Sequence, residues 1–128
     1  MKIAIAVKPD LRTVSGHAGQ TPDWVVFDCQ PGMPPPVPQA ICLSRAQLPH
    51  YFRDDGPHPL HGVDVFVAAS AGEGFVRHMQ QWGASVLLTG ERDADVALAT
   101  ILRGESLADP RFDMTAALCR LRDLFSRH

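Results

Sequence analysis

The first residue equipped for metal chemistry is His17, framed by small residues in Ser15-Gly16-His17-Ala18-Gly19. A neutral imidazole coordinates borderline metals such as iron, and flanking glycines let the backbone approach a bulky inorganic group. A turn-stabilising or solvated histidine would use the same residue types, so spacing alone leaves its role open. Ser15, Gly16 and Gly19 belong to the same candidate site. Lys8 and Arg12 flank it and offer positive potential to an anion. The second candidate is Ser70-Ala71-Gly72-Glu73-Gly74. A strand running into a glycine-rich turn and a helix start presents free N–H groups and a positive dipole end, with Gly72 and Gly74 as the binding positions. It is not a dinucleotide fingerprint, because the third glycine is missing and Glu73 opposes a phosphate.

Three further histidines, His50, His58 and His61, share a stretch with Asp54 and Asp55. The spacing His58-x-x-His61 suits weak metal coordination, yet Pro59 between them fits no zinc pattern, and a solvated polar loop is the plainer reading. His78 is expected on the exposed side of a helix and His128 is terminal; neither is assigned a role. Cys29, Cys42 and Cys119 are odd in number and widely spaced, with no C-x-x-C pair. They indicate neither a disulfide framework nor a zinc ribbon, but buried small hydrophobes in a reducing cytoplasm. Metal-dependent nuclease chemistry needs converging carboxylates. The run Ile3 to Val7 carries none and Asp64 stands alone. Binding without turnover is the expectation: no enzyme.

The elements that must position these residues follow from composition and pattern. With 128 residues, 45% hydrophobic and 20% charged, the chain fits one globular domain over residues 1–128. A formal charge of −2 argues against a nucleic-acid binder. No apolar run reaches the roughly 18 to 20 residues of a membrane span. Lys8-Pro9-Asp10 interrupts the opening apolar run before a signal peptide could form.

Strands are expected at Lys2 to Val7, Trp24 to Cys29, Gln39 to Leu43, Val63 to Ala69 and Ala84 to Leu88. Asp10 to Pro22 is a long loop, and Gln30 to Pro38, with five of the eleven prolines, is an exposed turn. Ser44 caps a helix reaching about Phe52. Phe75, Met79 and Trp82 mark the packed face of a helix closed by Gly83. Asp93 caps another that stops at Gly104, and Met114, Leu118, Leu121 and Phe125 give a final amphipathic helix. Its Leu121, Leu124 and Phe125 serve either the core or a homodimer contact. Strand–helix–strand order in the second half implies a right-handed parallel crossover, and the whole an α/β domain with a mixed sheet.

Three stretches together resemble the dinitrogenase iron–molybdenum cofactor biosynthesis family, which includes NifX, NafY and the C-terminal domain of NifB. They are Met1-Lys2-Ile3-Ala4-Ile5-Ala6 with Val14-Ser15-Gly16-His17-Ala18-Gly19 and Pro22; Gly62-Val63-Asp64-Val65-Phe66-Val67-Ala68 with Gly72-Glu73-Gly74-Phe75; and Trp82-Gly83-Ala84-Ser85-Val86 with the helix from Ala94 to Gly104. The resemblance spans about residues 1–105, leaving 110–128 as an added helix. It implies a ribonuclease H-like α/β fold with a mixed five-stranded sheet flanked by helices. It also implies transient binding or delivery of an iron–sulfur or iron–molybdenum-type cluster, in exchange with donor and acceptor proteins. The family's cofactor-binding histidine falls on His17, and the aromatic that usually follows it is Ala18 here. A regulatory or interaction domain that kept the fold and lost the cluster is the alternative.

Overall fold

The alternation of Ile3, Ile5 and Val7 with Ala4 and Ala6 sets the architecture. These residues build the central strand β1 (Lys2–Ala6), which is apolar on both faces, as a strand covered on both sides must be. β1 pairs antiparallel with β2 (Asp23–Asp28) and parallel with β4 (Val65–Ala68). β3 (Gln39–Cys42) continues antiparallel beyond β2, and β5 (Ser85–Leu88) continues parallel beyond β4. The mixed five-stranded sheet therefore has the order β3-β2-β1-β4-β5. The computed structural model describes residues 1–104. The expected helix over residues 110–128 and Cys119 lie outside the described residues.

Among the described residues each sheet face carries one helix. α1 (Glu73–Gln81) connects β4 to β5 and buries Phe75 and Met79 among Ala4, Ala6, Trp24, Phe66 and Ala68. α2 (Ala94–Leu102) buries Ala94 and Leu98 with Ile3, Ile5, Val25, Phe27 and Val67. The alternation along β1 thus assigns its isoleucines to one layer and its alanines to the other. The alanines matter because they make room. Ala4 lies between Val26 and Phe66 in register, and Ala6 lies opposite Trp24. Three rings fill that space: Trp24 and Phe66 meet edge-on at 5.6 Å, Phe66 and Phe75 at 5.8 Å, and Trp24 lies near-parallel to Phe75 at 6.3 Å.

Local signals account for the helix ends. The Asp93 carboxylate accepts the N–H groups of Asp95 at 2.9 Å and Val96 at 3.2 Å, the expected cap of α2. Gly83 follows α1 with φ +81°, a conformation that favours glycine. The helix expected from Ser44 to Phe52 does not form. A single 3-10 turn, Arg45–Gln47, stands in its place, and Leu48 is already extended at φ −58°, ψ 132°. Pro49 is the cause, since its ring disfavours the helical conformation for the residue before it. The strand expected from Val63 to Ala69 is trimmed at both ends to Val65–Ala68. Among the described residues no helix is long and apolar enough to cross a membrane.

Candidate functional site

The loop after β1 is more ordered than its glycines suggest. Asp10 anchors its tip: its carboxylate accepts the Thr13 hydroxyl at 2.6 Å and the Thr13 and Arg12 N–H groups at 2.9 and 2.8 Å. These bonds, the Thr13 hydroxyl foremost, hold the Asp10 carboxyl at a pKa of about 2. The chain then returns beside β1, where Ser15 N–H donates to the Ala6 carbonyl and Ala69 N–H to the Ser15 carbonyl. His17 turns left-handed, with φ +54°, at the start of the 3-10 turn Ala18–Gln20. That region is uncommon for residues with a Cβ, although histidine enters it more readily than most.

Ser70 fastens this turn to the end of β4. Its hydroxyl oxygen accepts the His17 N–H at 2.8 Å and its carbonyl accepts the Ala18 N–H at 3.1 Å. A Cβ on Gly16 would come within 2.9 Å of Ser70 Oγ, so the close approach requires glycine there. Ser70→Ala is expected to destabilise the protein by about 1 kcal/mol, the net worth of one hydrogen bond. Urea unfolding checks the loss, and faster hydrogen exchange at the His17 amide locates it.

His17 looks into a cleft of about 500 Å³ at the carboxyl ends of β1 and β4. This is where open α/β sheets tend to bind their ligands. Gly19 shares the first wall with it, His50 and Phe52 come from the following loop, and Gly72, Gly74, Phe75 and His78 come from α1 and its start. The two loop walls are tied by the His50 N–H, which donates to the Gly19 carbonyl at 2.8 Å. Gly72 caps α1 without a side-chain hydrogen bond, and with Gly74 it brings the positive end of that helix to the cleft. No aspartate or glutamate lines the cleft among the described residues.

The residues singled out from the sequence divide accordingly. His17, Gly19, Gly72 and Gly74 meet in the cleft, although they come from segments more than fifty residues apart. Ser15 and Gly16 lie beneath it as supports, with the Gly16 carbonyl accepting the Thr21 hydroxyl at 2.8 Å. Lys8 and Arg12 are exposed and do not line it; the Arg12 carbonyl receives the Ala94 N–H at 2.9 Å, on the side of α2. Ala18 is fully buried in the core with Trp24 and Phe75, so the residue after His17 belongs to the core beneath the cleft.

His58 and His61 do not line the cleft. His58 Nδ1 accepts the Leu60 N–H at 3.0 Å, which leaves Nε2 to donate to the Gln47 carbonyl. Both nitrogens are taken, and burial pushes the ring's pKa down from its ordinary value. His61 Nδ1 accepts the His58 N–H at 3.1 Å, and its ring stands edge-on to Trp82 at 4.4 Å. Among the described residues no three His, Cys, Asp or Glu side chains are grouped to hold one metal ion. Cys29 is buried, as expected, but Cys42 is exposed because it sits on the edge strand β3.

His78 is the principal correction. It is not on an exposed helix face: its side chain is 15% exposed and its Nε2 lies 2.8 Å from Asp54 Oδ1. The sequence does carry a signal for this, because His78 follows Gly74 by one helical turn and therefore shares its face. His50 has no comparable signal, and only the Gly19 pairing reveals it.

Fold and cleft together define a class: a mixed five-stranded α/β sheet with helices packed on both faces and an imidazole-lined cleft at the ends of its parallel strands. No protein-family model and no curated protein matches the sequence. Solved structures do share the fold. PH0822 is 21% identical over 89% of this chain and 97% of its own, with a TM-score of 0.66. A candidate dinitrogenase from Methanocaldococcus jannaschii is 12% identical over 82% of this chain and 90% of its own, with a TM-score of 0.62. A candidate NifB protein from Thermotoga is 18% identical over 89% of this chain and 97% of its own, with a TM-score of 0.58.

Proposed function

We propose that this protein is a carrier for an iron–sulfur or iron–molybdenum-type cluster, in nitrogenase cofactor assembly or a related process. One observation carries the reading: His17, His50 and His78 line one cleft together with the start of α1, and no carboxylate lines it among the described residues. Imidazoles bind iron, while the positive end of a helix dipole favours an anion. A volume of about 500 Å³ suits a polymetallic group held at separate points rather than a single enclosed ion. Such open ligation fits cargo that is received from one protein and passed to another. The reading assigns the cleft binding without turnover. The strand order supports a ribonuclease H-like description of the fold, and the fold shared with the candidate NifB protein supports the family resemblance of the three sequence stretches.

Anaerobic mixing with an isolated cluster, followed by gel filtration and visible absorption, tests the proposal. The wild-type chain is expected to co-elute with the cluster, and His17→Ala to bind it about tenfold more weakly or worse, as loss of a ligand interaction implies. Equal uptake by the variant would remove His17 as a ligand. No uptake by the wild type would remove the carrier function.

A further inference from the structure

We propose that His78 is a second imidazole ligand in the cleft and that Asp54 is the residue positioning it; this rests on the cleft being the site of a metal-containing group. The two residues come from different elements. His78 sits on α1 one turn beyond Gly74, and Asp54 lies in the loop that supplies His50 and Phe52. Asp54 adopts φ +57°, an uncommon conformation for a residue with a Cβ, and this places its carboxylate over the end of α1. There Oδ1 accepts the Trp82 indole N–H at 2.9 Å and faces His78 Nε2 at 2.8 Å.

Those contacts fix the chemistry of the ring. An indole nitrogen can only donate, and an ionised carboxylate can only accept. Nε2 of His78 therefore carries the proton toward Asp54, and in the neutral ring the lone pair is on Nδ1. Nδ1 has no hydrogen-bond partner, and no unpartnered side-chain nitrogen or oxygen is buried among the described residues, so Nδ1 is open to water. Trp82 packs edge-on against the ring at 5.0 Å and limits its rotation. An imidazole with one N–H held by a carboxylate and the other nitrogen free is how proteins orient metal-bound histidines. The hydrogen bonds of the described residues give neither the His17 nor the His50 ring such a carboxylate, which makes His78 the best-oriented imidazole of the three.

Long-range 15N–1H spectra of the imidazoles, taken on the full chain, read the orientation directly. Wild-type His78 is expected as the Nε2–H tautomer, and Asp54→Ala is expected to release it to a mixture. A His78 ring protonated on Nδ1 in the wild type overturns the proposal. Two probes then read ligation. A cluster assembled in place from ferrous iron and sulfide is expected to bind about 10-fold more weakly to His78→Gln, which still offers a donor to Asp54, and to Asp54→Ala. Equal binding by wild type and His78→Gln overturns the ligand role of His78 and leaves the carrier reading intact. Co2+ alone separates the opposite failure. If no cluster binds but Co2+ affinity at the His78 ring falls about 10-fold in Asp54→Ala, the ligand role stands and the carrier reading falls. If that affinity is unchanged, the positioning role of Asp54 falls with it.

Discussion

Trp24→Ala is expected to destabilise the protein by about 3–5 kcal/mol, the range for deleting a fully buried aromatic from a core that can only partly collapse. Trp24 is 0% exposed and touches the rings of Phe66 and Phe75. Small domains hold only about 5–15 kcal/mol in total, so the variant should sit close to unfolding at room temperature. The site should suffer as well. The indole Nε1 donates to the Thr21 carbonyl at 2.8 Å, and the Thr21 hydroxyl in turn donates to the Gly16 carbonyl at 2.8 Å and the His17 carbonyl at 3.2 Å. Urea unfolding gives the stability loss, with Trp24→Phe as the milder comparison. A loss below about 1 kcal/mol would contradict the role given to this ring.

His58→Leu is expected to cost about 2–4 kcal/mol near neutral pH, because each buried group left unsatisfied costs about 1–3 kcal/mol. The side chain is 6% exposed, and its removal leaves the Leu60 N–H and the Gln47 carbonyl without their partner. The loss also has a pH signature. Burial depresses the ring's pKa in the folded state, partly opposed by the Gln47 bond. Above an unfolded value of about 6.5, both states hold a neutral ring. Below it the unfolded ring takes a proton that the folded ring resists, so the unfolded state binds more protons and stability falls. The contribution is whole above the unfolded value and is lost as the pH falls toward the folded one. Unfolding curves from about pH 8 to about pH 5.5 should show the gap between wild type and variant narrowing. A gap constant across that interval would show that the ring titrates alike in both states.

Trp24 and His58 also mark how far the amino-acid sequence reaches. All five strands and both well-formed helices follow from apolar runs, glycines and the Asp93 cap, because these signals act over a few residues. The missing helix after Ser44 is legible too, since Pro49 stands within it, but the cap signal at Ser44 points the other way. The site is half visible. His17 and the Gly72–Gly74 turn announce themselves through flanking glycines. His50 does not, because its role arises from a backbone bond to Gly19; His78 is signalled by its place one turn after Gly74, but its side-chain bond to Asp54, twenty-four residues earlier, is not. His58 misleads for the same reason: its spacing to His61 suggests a metal, while its partners Gln47 and Leu60 make it a brace within the loop. Lys8 and Arg12 adjoin the site in sequence, but the bridge between Val7 and Val14 turns that part of the loop aside.

The central position of β1 has a kinetic consequence. Its parallel partner is β4, with Ile3 opposite Val65, so the sheet closes only when residues sixty apart in sequence meet. Antiparallel neighbours such as β1 and β2 join early because little chain lies between them, while distant pairings form late. On a growing chain His17 leaves the ribosome well before Ser70, which fastens it, and before α1, which faces it. The walls of the cleft therefore come together only once β1 and β4 have paired. Under the proposed carrier function, a metal group would find its full set of cleft walls only after β1 and β4 have paired.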